Sequence, residues 1–552
     1  MSTSNTTISF FEQDFFPESP DFFNHVFGPI MQPGSSSEFA GPARIGNLVR
    51  ALVRDDIKKV RFGFSKEGKD SAYLVNFMSD RGYLGGILGF SPEDERLFDA
   101  VAIAREKRIA YDFYTLPYNN QPLNAVIVTV ESVTGETGSL LADSTGGGMI
   151  EVLAVNAFHL RWIADSHAVL IEDAEGVLEG KEVYAWARGL GETFLSVIDL
   201  ERPDGSRGYF VETSSSLAGN AYLQSLGSIS GVRSIILPAL LPVVRIRDRK
   251  PQLFTTVAEW RQVADEQHIS FVQAAIEYEK RSSGWDQEQI WAYFERIADI
   301  LDGQIHALER LGPENVLDTP TLPIYGKLWD RYIRGKQRIS DDLTNHILIH
   351  AFSTNAKIPG VKLVPGPMGT GGGYLFSAVD AVREKYGYSR EKVIESLIVA
   401  AALGALAFTH THVNGNAGCV AESGVCCAMT SGALVWLAGG DSYAVESAAS
   451  MALQASIGIP CDPIPGGLEF PCLTRTFRAA VSAPMYADLA LSGIDPLIPY
   501  HEMLQEIERN FREVSHTYLC STQTGCCRTP AAQACFERLD AEAAITLHYV
   551  PA

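Results

Sequence analysis

Two cysteines lie eleven residues apart in the segment IPCDPIPGGLEFPC (459–472), and a third precedes them by 42 residues. Cys461 and Cys472 anchor a stretch too rich in proline and glycine for a helix or a regular strand. Cys419 follows a Gly/Asn-rich loop in NGNAGCVAESG (414–424) and precedes an apolar helix of small residues. Because a helix N-terminus favours the thiolate, we expect a lowered pKa for Cys419. These three residues, the cysteine trio, could bind a metal from separate loops.

The chain contains nine cysteines, and all of them follow residue 418. They are Cys419, Cys426, Cys427, Cys461, Cys472, Cys520, Cys526, Cys527 and Cys535. A chance grouping of inert buried cysteines is one explanation, and a zinc or iron–sulfur site is another. A structural zinc site usually takes four ligands in close CxxC pairs, which the cysteine trio lacks. A [4Fe–4S] cluster held by three cysteines leaves one iron open to a substrate, which is a catalytic arrangement.

The composition is that of a soluble globular protein with several domains. The 552 residues exceed one ordinary core, and 46% are hydrophobic and 20% charged. The formal net charge of −21 argues against a nucleic acid or an anionic membrane as partner. The N-terminal MSTSNTTISFFEQDFF lacks a secretory pattern, and the apolar run 397–408 is shorter than the about 20 residues of a membrane span. We therefore expect a cytoplasmic enzyme that acts on a small molecule.

Three segments that differ in their pattern of apolar residues predict three domains. Residues 1–165 alternate short apolar runs with turns, which indicates an α+β domain. Residues 166–248 have the length and rhythm of a ferredoxin-like βαββαβ module. Residues 249–552 are mainly helical, and the apolar residues of 285–312 recur at spacings of three and four. The Ala-rich helices at 391–408 and 442–457 should lie deep in this last domain.

Four motifs carry a resemblance to a known family. GCVAESG (418–424) resembles the family's GCQAEVG, and CDPIPGGLEFPC (461–472) resembles its CDPVAGxVxVPC with both cysteines in register. PGSSSEFAGP (33–42) resembles GPSSSHTVGP, and STGGGMIEV (144–152) resembles SIGGG(K/F)IE. On these motifs the chain resembles the iron–sulfur-dependent L-serine dehydratases of bacteria along nearly its full length. The resemblance implies a β domain, an ACT-like domain at 166–248 and an α domain fused in one chain.

The resemblance also implies a dehydratase or ammonia-lyase independent of pyridoxal phosphate. The cysteine trio would hold a [4Fe–4S] cluster whose open iron acts on the substrate hydroxyl while a base removes the α-proton. The enamine product would hydrolyse to a 2-oxo acid and ammonia. Serines at a helix start would bind the substrate carboxylate, and glycines would let the backbone approach closely. The substrate-binding residues on this basis are Ser35, Ser36, Ser37, Asp80, Gly146, Gly147, Gly148 and Asn414.

The chain departs from the family pattern around the expected pocket. Glu38 and Phe39 replace the His and Thr of SSSHT, and VNFMSD (75–80) has Phe77 where the family's KGHGTD has His. The α-part loop PTAGSAG becomes GPMGTGGG (366–373). Loss of two imidazoles changes the charge and shape of the pocket. A bulkier or amine-modified β-hydroxy amino acid is therefore an alternative to L-serine.

Glu38, His410 and His412 are the candidate catalytic residues, because one of them could act as acid or base in place of the missing family histidines. The two histidines lie in THTHVNGN (409–416), just ahead of Cys419, and core histidines are the alternative interpretation. Cys426 and Cys427 are expected to be small buried hydrophobes.

The segment LCSTQTGCCRTPAAQAC (519–535) resembles the family's tail loop ETGQGGLAATPTG. In some members of the family a C-terminal cysteine caps the open iron, whereas this chain ends in VPA. One of Cys520, Cys526, Cys527 and Cys535 could cap the cluster instead, and incidental thiols are the simpler interpretation.

Three functions remain open at this point. The first is a cluster-dependent dehydratase or ammonia-lyase, and the second is cluster-dependent elimination of a thiol, as in a cysteine desulfidase. The third is a sensor in which the ACT-like module binds an amino acid and the cluster has no catalytic role. Retention of all three cysteines and of the serine loop, PGSSSEFAGP (33–42), favours catalysis. The resemblance also implies a homodimer.

Overall fold

The computed structural model describes residues 19–66, 74, 77–120, 122, 124–317, 325–335, 338–366, 371–464, 470–518, 524–543 and 548–549. Cys520 and parts of the loops 366–373 and 461–472 lie outside the described residues.

The first part of the chain is a mixed sheet with helices. Its elements are α1 (Gly41–Ala51), β1 (Ile57–Phe64), α2 (Ser79–Ile87), α3 (Ala100–Glu106), β2 (Ala110–Thr115), β3 (Val126–Ser132), β4 (Thr137–Gly146), β5 (Met149–Val155) and β6 (Phe158–Trp162). The sheet runs β2-β1-β3-β4-β5-β6, and a short strand, His548–Tyr549, adds to β2 at its edge. Only β1 and β2 pair in parallel among these described strands.

Alternation of side chains explains the face that this sheet buries. Val126, Val128 and Val130 are buried along β3, with more exposed residues between them, as the period of two requires. Helices α1 and α2 pack closely because glycines face each other, and a Cβ on Gly46 would lie 2.8 Å from the Gly86 Cα. The serine loop leads directly into α1, so this packing positions it.

The second part has the element order β7 (His167–Asp173), α4 (Gly180–Gly189), β8 (Phe194–Glu201), β9 (Arg207–Thr213), α5 (Ala221–Leu226), β10 (Val232–Leu237). Its four strands form an antiparallel sheet in the order β10-β7-β9-β8. Val183 and Leu223 of the two helices pack on one face of this sheet. The other face, with Leu170 and Phe210, joins the hydrophobic core of the first sheet.

The rest of the described chain is helical. Its helices are α6 (Val257–Gln267), α7 (Phe271–Ser283), α8 (Gln287–Ile305), α9 (Ala307–Leu311), α10 (Tyr325–Gly335), α11 (Asp342–Thr354), α12 (Gly371–Tyr386), α13 (Arg390–His410), α14 (Val425–Leu437), α15 (Ser442–Gln454), α16 (Cys472–Leu491), α17 (Tyr500–Glu513) and α18 (Pro530–Ala543). The expected stripe on α8 is confirmed, since Ile290, Phe294, Ile297 and Leu301 are all buried.

The Ala-rich helix expected at 391–408 lies inside α13 and is buried in the helical core. Two helical stretches, Arg390–His410 and Val420–Leu437, are long and apolar enough to cross a membrane, and 78% and 89% of their most apolar windows are buried. Burial of that extent is typical of the core helices of soluble proteins.

Both ends of the described chain cross between the sheet and helical parts. Phe22, Phe23 and Val26 precede the serine loop yet belong to the helical core. The strand His548–Tyr549 follows the helices yet pairs with β2. The structure is therefore multidomain, with an N-terminal α/β sheet region and a helical C-terminal region that are interleaved at their ends.

Candidate functional site

The cysteine trio converges on one guanidinium group, that of Arg475. Arg475 lies one turn after Cys472, at the start of α16, and donates to the Pro460 carbonyl beside Cys461 at 2.6 Å. Its Nη1 is also 2.6 Å from Oδ1 of Asp462, and its positive charge acts on the Cys419 thiol. All three cysteines carry thiols rather than disulfides. Thiols are the donors that iron–sulfur clusters require, so these residues fit such a group.

Main-chain hydrogen bonds hold the cysteine loops in place. The Ile464 amide donates to the Phe470 carbonyl at 2.7 Å, which draws together the two ends of the loop between Cys461 and Cys472. The Val420 amide donates to the Ile459 carbonyl at 3.3 Å, and a Cβ on Gly418 would lie 2.9 Å from that same oxygen. The glycine therefore lets the loop that bears Cys419 approach the loop that bears Cys461.

The expectation of a lowered pKa for Cys419 is wrong. Burial raises the pKa of this thiol, the Glu422 carboxylate raises it further, and Ser423 and Arg475 only partly oppose them. Cys419 precedes a short π-helical turn, Val420–Gly424, rather than the regular N-terminus of α14. Because the thiol is 3% exposed, loss of hydration outweighs the effect of the nearby helix on its charge.

The serine loop (residues 33–42) and the glycine loop (Gly146–Gly148) meet the segment that leads to Cys419. The Ser144 hydroxyl donates to the Ser37 carbonyl at 2.6 Å, and Ser35 caps the turn Ser36–Ala40 by accepting from the Glu38 amide. A Cβ on Gly146 would lie 2.9 Å from the Asn414 Cβ. The expected substrate-binding segments are thus adjacent, five residues from Cys419.

The backbone conformation of the turn gives a second reason for the presence of three glycines in the glycine loop. The φ angles of Gly146, Gly147 and Gly148 are 109°, 60° and 77°, a left-handed backbone that other residues rarely adopt. They form the turn between β4 and β5, where Gly146 pairs with Met149.

Arg44 is a residue that the motifs did not single out. It lies on the first turn of α1 at 2% exposure, and its Nη1 donates to the Gly148 carbonyl at 2.6 Å. Its Nε has no hydrogen-bond partner, and the described residues place no carboxylate within ion-pair distance of it. Burial lowers the pKa of Arg44 to about 10, so it remains charged. A buried guanidinium beside the glycine loop is suited to an anionic ligand.

Two carboxyl groups lie near the serine loop. Glu38 is buried within the turn that follows Ser35. Asp80 is 3% exposed on the first turn of α2, and its Oδ1 has no hydrogen-bond partner among the described residues. Burial raises the pKa of Asp80 to about 6.

The two aromatic replacements differ in position. Phe39 is fully buried and its ring packs against Phe98 at 5.6 Å, so this replacement fills a hydrophobic core. Phe77 is only partly buried, three residues before Asp80.

The two candidate histidines have different partners. His410 Nε2 donates to the Thr255 carbonyl at 2.7 Å, and burial lowers the pKa of the ring. His412 Nδ1 is 2.9 Å from Oε2 of Glu508, and its main-chain amide also bonds that oxygen. His412 is therefore the histidine that a carboxylate orients. Glu508 was missed because it follows His412 by 96 residues.

The remaining described cysteines fall into two groups. Cys426 and Cys427 lie in the helical core, as expected of small hydrophobes, and burial raises the pKa of Cys426 to about 12. Cys526 lies against the cysteine trio instead, since its amide donates to Oδ2 of Asp462 at 2.6 Å. Burial and then the Asp462 carboxylate raise the pKa of Cys526. Cys527 is buried, and Cys535 lies on α18.

Known proteins match both parts of the chain. A family model described as the serine dehydratase alpha chain matches residues 266–527. The L-serine dehydratase alpha chain of Peptoniphilus asaccharolyticus is 26% identical over 46% of this chain and 86% of its own length. In Bacillus subtilis (strain 168), the probable L-serine dehydratase alpha chain is 28% identical over 50% of this chain and 93% of its own. The probable beta chain of that organism is 32% identical over 28% of this chain and 70% of its own.

These matches place the chain among the carbon–oxygen lyases, the enzyme class of the L-serine dehydratases. Its two parts correspond to subunits that are separate chains in these relatives. The chain belongs to the L-serine dehydratase family and joins the β-type and α-type parts in one polypeptide.

Proposed function

We propose that this protein is a [4Fe–4S]-dependent, pyridoxal-phosphate-independent lyase that eliminates the β-hydroxyl of L-serine or of a related β-hydroxy amino acid. The observation that carries the proposal is the convergence of Cys419, Cys461 and Cys472 around Arg475. The relatives named L-serine dehydratase support the reaction class.

Cys419, Cys461 and Cys472 are the residues that would hold the cluster, with Cys526 as the cysteine next to them. The bound cluster supplies a Lewis-acidic iron, which stabilises the charge that develops on a departing hydroxide. Arg475 places a positive charge beside the Cys419 thiol and so partly offsets the effect of burial, which raises the pKa of that thiol.

Arg44 and the serine loop would bind the α-carboxylate of the substrate. The guanidinium of Arg44 has no carboxylate partner among the described residues, which a substrate carboxylate would supply. Ser36 and Ser37 precede Arg44 by eight and seven residues, at the start of the helical segment that continues into α1. Hydroxyl and amide groups at such a helix start favour an anion.

His412 is the proposed base that removes the α-proton. Its Nδ1 is 2.9 Å from the Glu508 carboxylate, which orients the ring as a carboxylate orients a general base. Glu508 is a positioning residue, because its carboxylate touches the imidazole rather than the substrate. Thr411 and Arg512 hydrogen-bond the same carboxylate and fix its orientation.

The choice of substrate depends on Glu38 and Phe77, which replace imidazoles of the family pattern. A carboxylate favours a cationic amino group, and an aromatic ring favours a larger apolar side chain than that of serine. We propose that the βαββαβ module at 166–248 is ACT-like and that the protein is a cytoplasmic homodimer.

Anaerobic reconstitution with iron and sulfide, followed by a screen of β-substituted amino acids, tests the proposal. We expect 2-oxo acid and ammonia from L-serine or a related β-hydroxy amino acid. Cys419→Ser should lose both the cluster and this turnover, whereas Cys535→Ser should keep both. Turnover of L-cysteine alone would replace dehydration by thiol elimination, and an intact cluster without any turnover would refute catalysis.

A further inference from the structure

Three helices meet at a cluster of side chains that shares no residue with the cysteine site. His306 directly follows α8, His350 lies on α11 and Asp380 lies on α12. One potential ligand atom from each residue lies within 4.8 Å of the other two. These three residues are called the His306 cluster below.

Two buried atoms of the cluster lack hydrogen-bond partners among the described residues. His350 is 3% exposed and Asp380 is 2% exposed. Nδ1 of His350 and Oδ2 of Asp380 have no hydrogen bond, and they stand 4.0 Å apart. Leaving a buried acceptor and a buried carboxylate oxygen unpaired is costly, and one cation between them would satisfy both.

In His306 and Asp380, the other polar atom of the side chain already forms a hydrogen bond. His306 Nδ1 donates to the Asp302 carbonyl at 2.9 Å, which leaves Nε2 with its lone pair. Oδ1 of Asp380 accepts from Arg383 Nε at 2.6 Å, which leaves Oδ2. Metal-binding imidazoles and carboxylates in proteins are oriented by outer contacts of this kind.

The charged groups that face the cluster are Asp302 and Arg310 from the α8 side and Arg383 and Glu384 on α12.

We propose that the His306 cluster binds one divalent transition-metal ion of the Zn²⁺ type through His306 Nε2, His350 Nδ1 and Asp380 Oδ2. Two imidazoles and one carboxylate suit zinc and its neighbours, whereas Mg²⁺ and Ca²⁺ take oxygen ligands. Ligand atoms at about 2.1 Å from zinc stand about 3.4 Å from one another, so the side chains close by about 1 Å on binding. The ion ties the end of α8 to the middle of α11 and α12. This site is independent of the proposed catalytic function.

Titration of the full chain with zinc, followed by calorimetry and thermal unfolding, tests the proposal. The Cys419→Ser/Cys461→Ser/Cys472→Ser variant is used alongside the cluster-loaded protein, so that the cysteine trio cannot take the added metal. We expect one zinc per chain in both proteins and a rise in Tm with zinc. Cobalt in the triple variant should show d–d absorption without a sulfur-to-metal charge-transfer band.

His350→Gln and Asp380→Asn should weaken zinc binding at least 100-fold. His306→Gln is the more conservative test of folding, because His306 is at 13% exposure the most accessible of the three. His268→Asn, an exposed histidine at the end of α6, is the matched control and should bind zinc unchanged. Unchanged binding in His350→Gln, a sulfur-to-cobalt band, or no zinc bound by the triple variant would each overturn the proposal.

Discussion

Arg475 forms an ion pair with Asp462, with Nη1 and Oδ1 2.6 Å apart, and this pair joins the two ends of the loop between Cys461 and Cys472. Asp462 is 2% exposed and follows Cys461 directly, while Arg475 follows Cys472 by three residues. The pair therefore helps to set the separation of the two cysteines.

Arg475→Met should lower both the stability of the protein and its content of iron and sulfide. The substitution leaves the buried Asp462 carboxylate without its cation, which costs about 3–5 kcal/mol in comparable pairs. Urea unfolding measures the loss of stability, and chemical analysis of iron and sulfide after reconstitution measures the loss of the cluster. Arg478→Met, one turn further along α16, removes bonds to Ala455 and Ser456 among the described residues and should retain the cluster.

Arg44→Met should weaken use of the substrate without unfolding the protein. Loss of a charge-assisted bond to the substrate carboxylate is worth about 1.5–3 kcal/mol, or about 10- to 100-fold in kcat/KM. Replacing a buried charge that has no counter-ion with an apolar chain is neutral or stabilising. Steady-state kinetics and thermal unfolding check the two halves of this prediction.

Arg249→Met provides the contrast, because Arg249 pairs with the buried carboxylates of Asp21 at 3.1 Å and Asp165 at 3.6 Å. It should destabilise the protein by about 3–5 kcal/mol. Equal losses of stability in Arg44→Met and Arg249→Met would contradict the assignment of Arg44 to the substrate.

His412→Asn should lower kcat by about 10²- to 10⁴-fold, the usual contribution of a positioned base. Glu508→Gln should also lower kcat, since the amide no longer orients the imidazole as the carboxylate does. His410→Asn is the control, because its ring nitrogen is bonded to the Thr255 carbonyl. A larger effect in His410→Asn than in His412→Asn would reverse the assignment.

Gly146→Ala should impair activity more than it impairs folding. Its φ of 109° strains any other residue, and the added Cβ would lie 2.9 Å from the Asn414 Cβ. Gly135→Ala is matched, because its φ is 86° and no atom lies within 4 Å of the added Cβ. Both variants should lose about 1–2 kcal/mol of stability from backbone strain, and only Gly146→Ala should also lower kcat/KM.

Asp80→Asn should remove a pH dependence of stability. The pKa of Asp80 is about 6 in the folded protein against about 3.9 unfolded, so the folded state binds the proton more tightly. The contribution of this group is fully present below about pH 4 and is lost as the pH rises through about 6. Its size is about 3 kcal/mol. Urea unfolding at pH 5 and pH 8 should show a smaller difference in Asp80→Asn than in the wild-type protein.

Local sequence was informative where one segment determined the outcome. The helical spacing of apolar residues predicted α8, and alanine-rich composition predicted the buried α13. The order of strands and helices at 166–248 could also be read from turns and apolar runs, because neighbouring strands in that module are close in sequence.

Other features depend on contacts between distant segments. Phe22 lies in the predicted N-terminal domain but packs in the helical core, and the strand His548–Tyr549 lies in the predicted C-terminal domain but pairs with β2. These contacts join residues far apart in the chain, and the local sequence pattern does not indicate them. The pKa of Cys419 was expected to fall and instead rises, because its burial depends on the surrounding loops rather than on its own helix.

The motifs around Cys419, Cys461 and Cys472, together with the serine and glycine motifs, were enough to predict the family of the chain, because each motif is a contiguous stretch of sequence. The metal centre stays a prediction. Only the tertiary structure revealed Arg475 beside the cysteine segments, Arg44 without a carboxylate partner among the described residues and Glu508 beside His412. Ion pairs and desolvation depend on distances of a few ångströms between residues far apart in the chain, and a single sequence does not specify those distances.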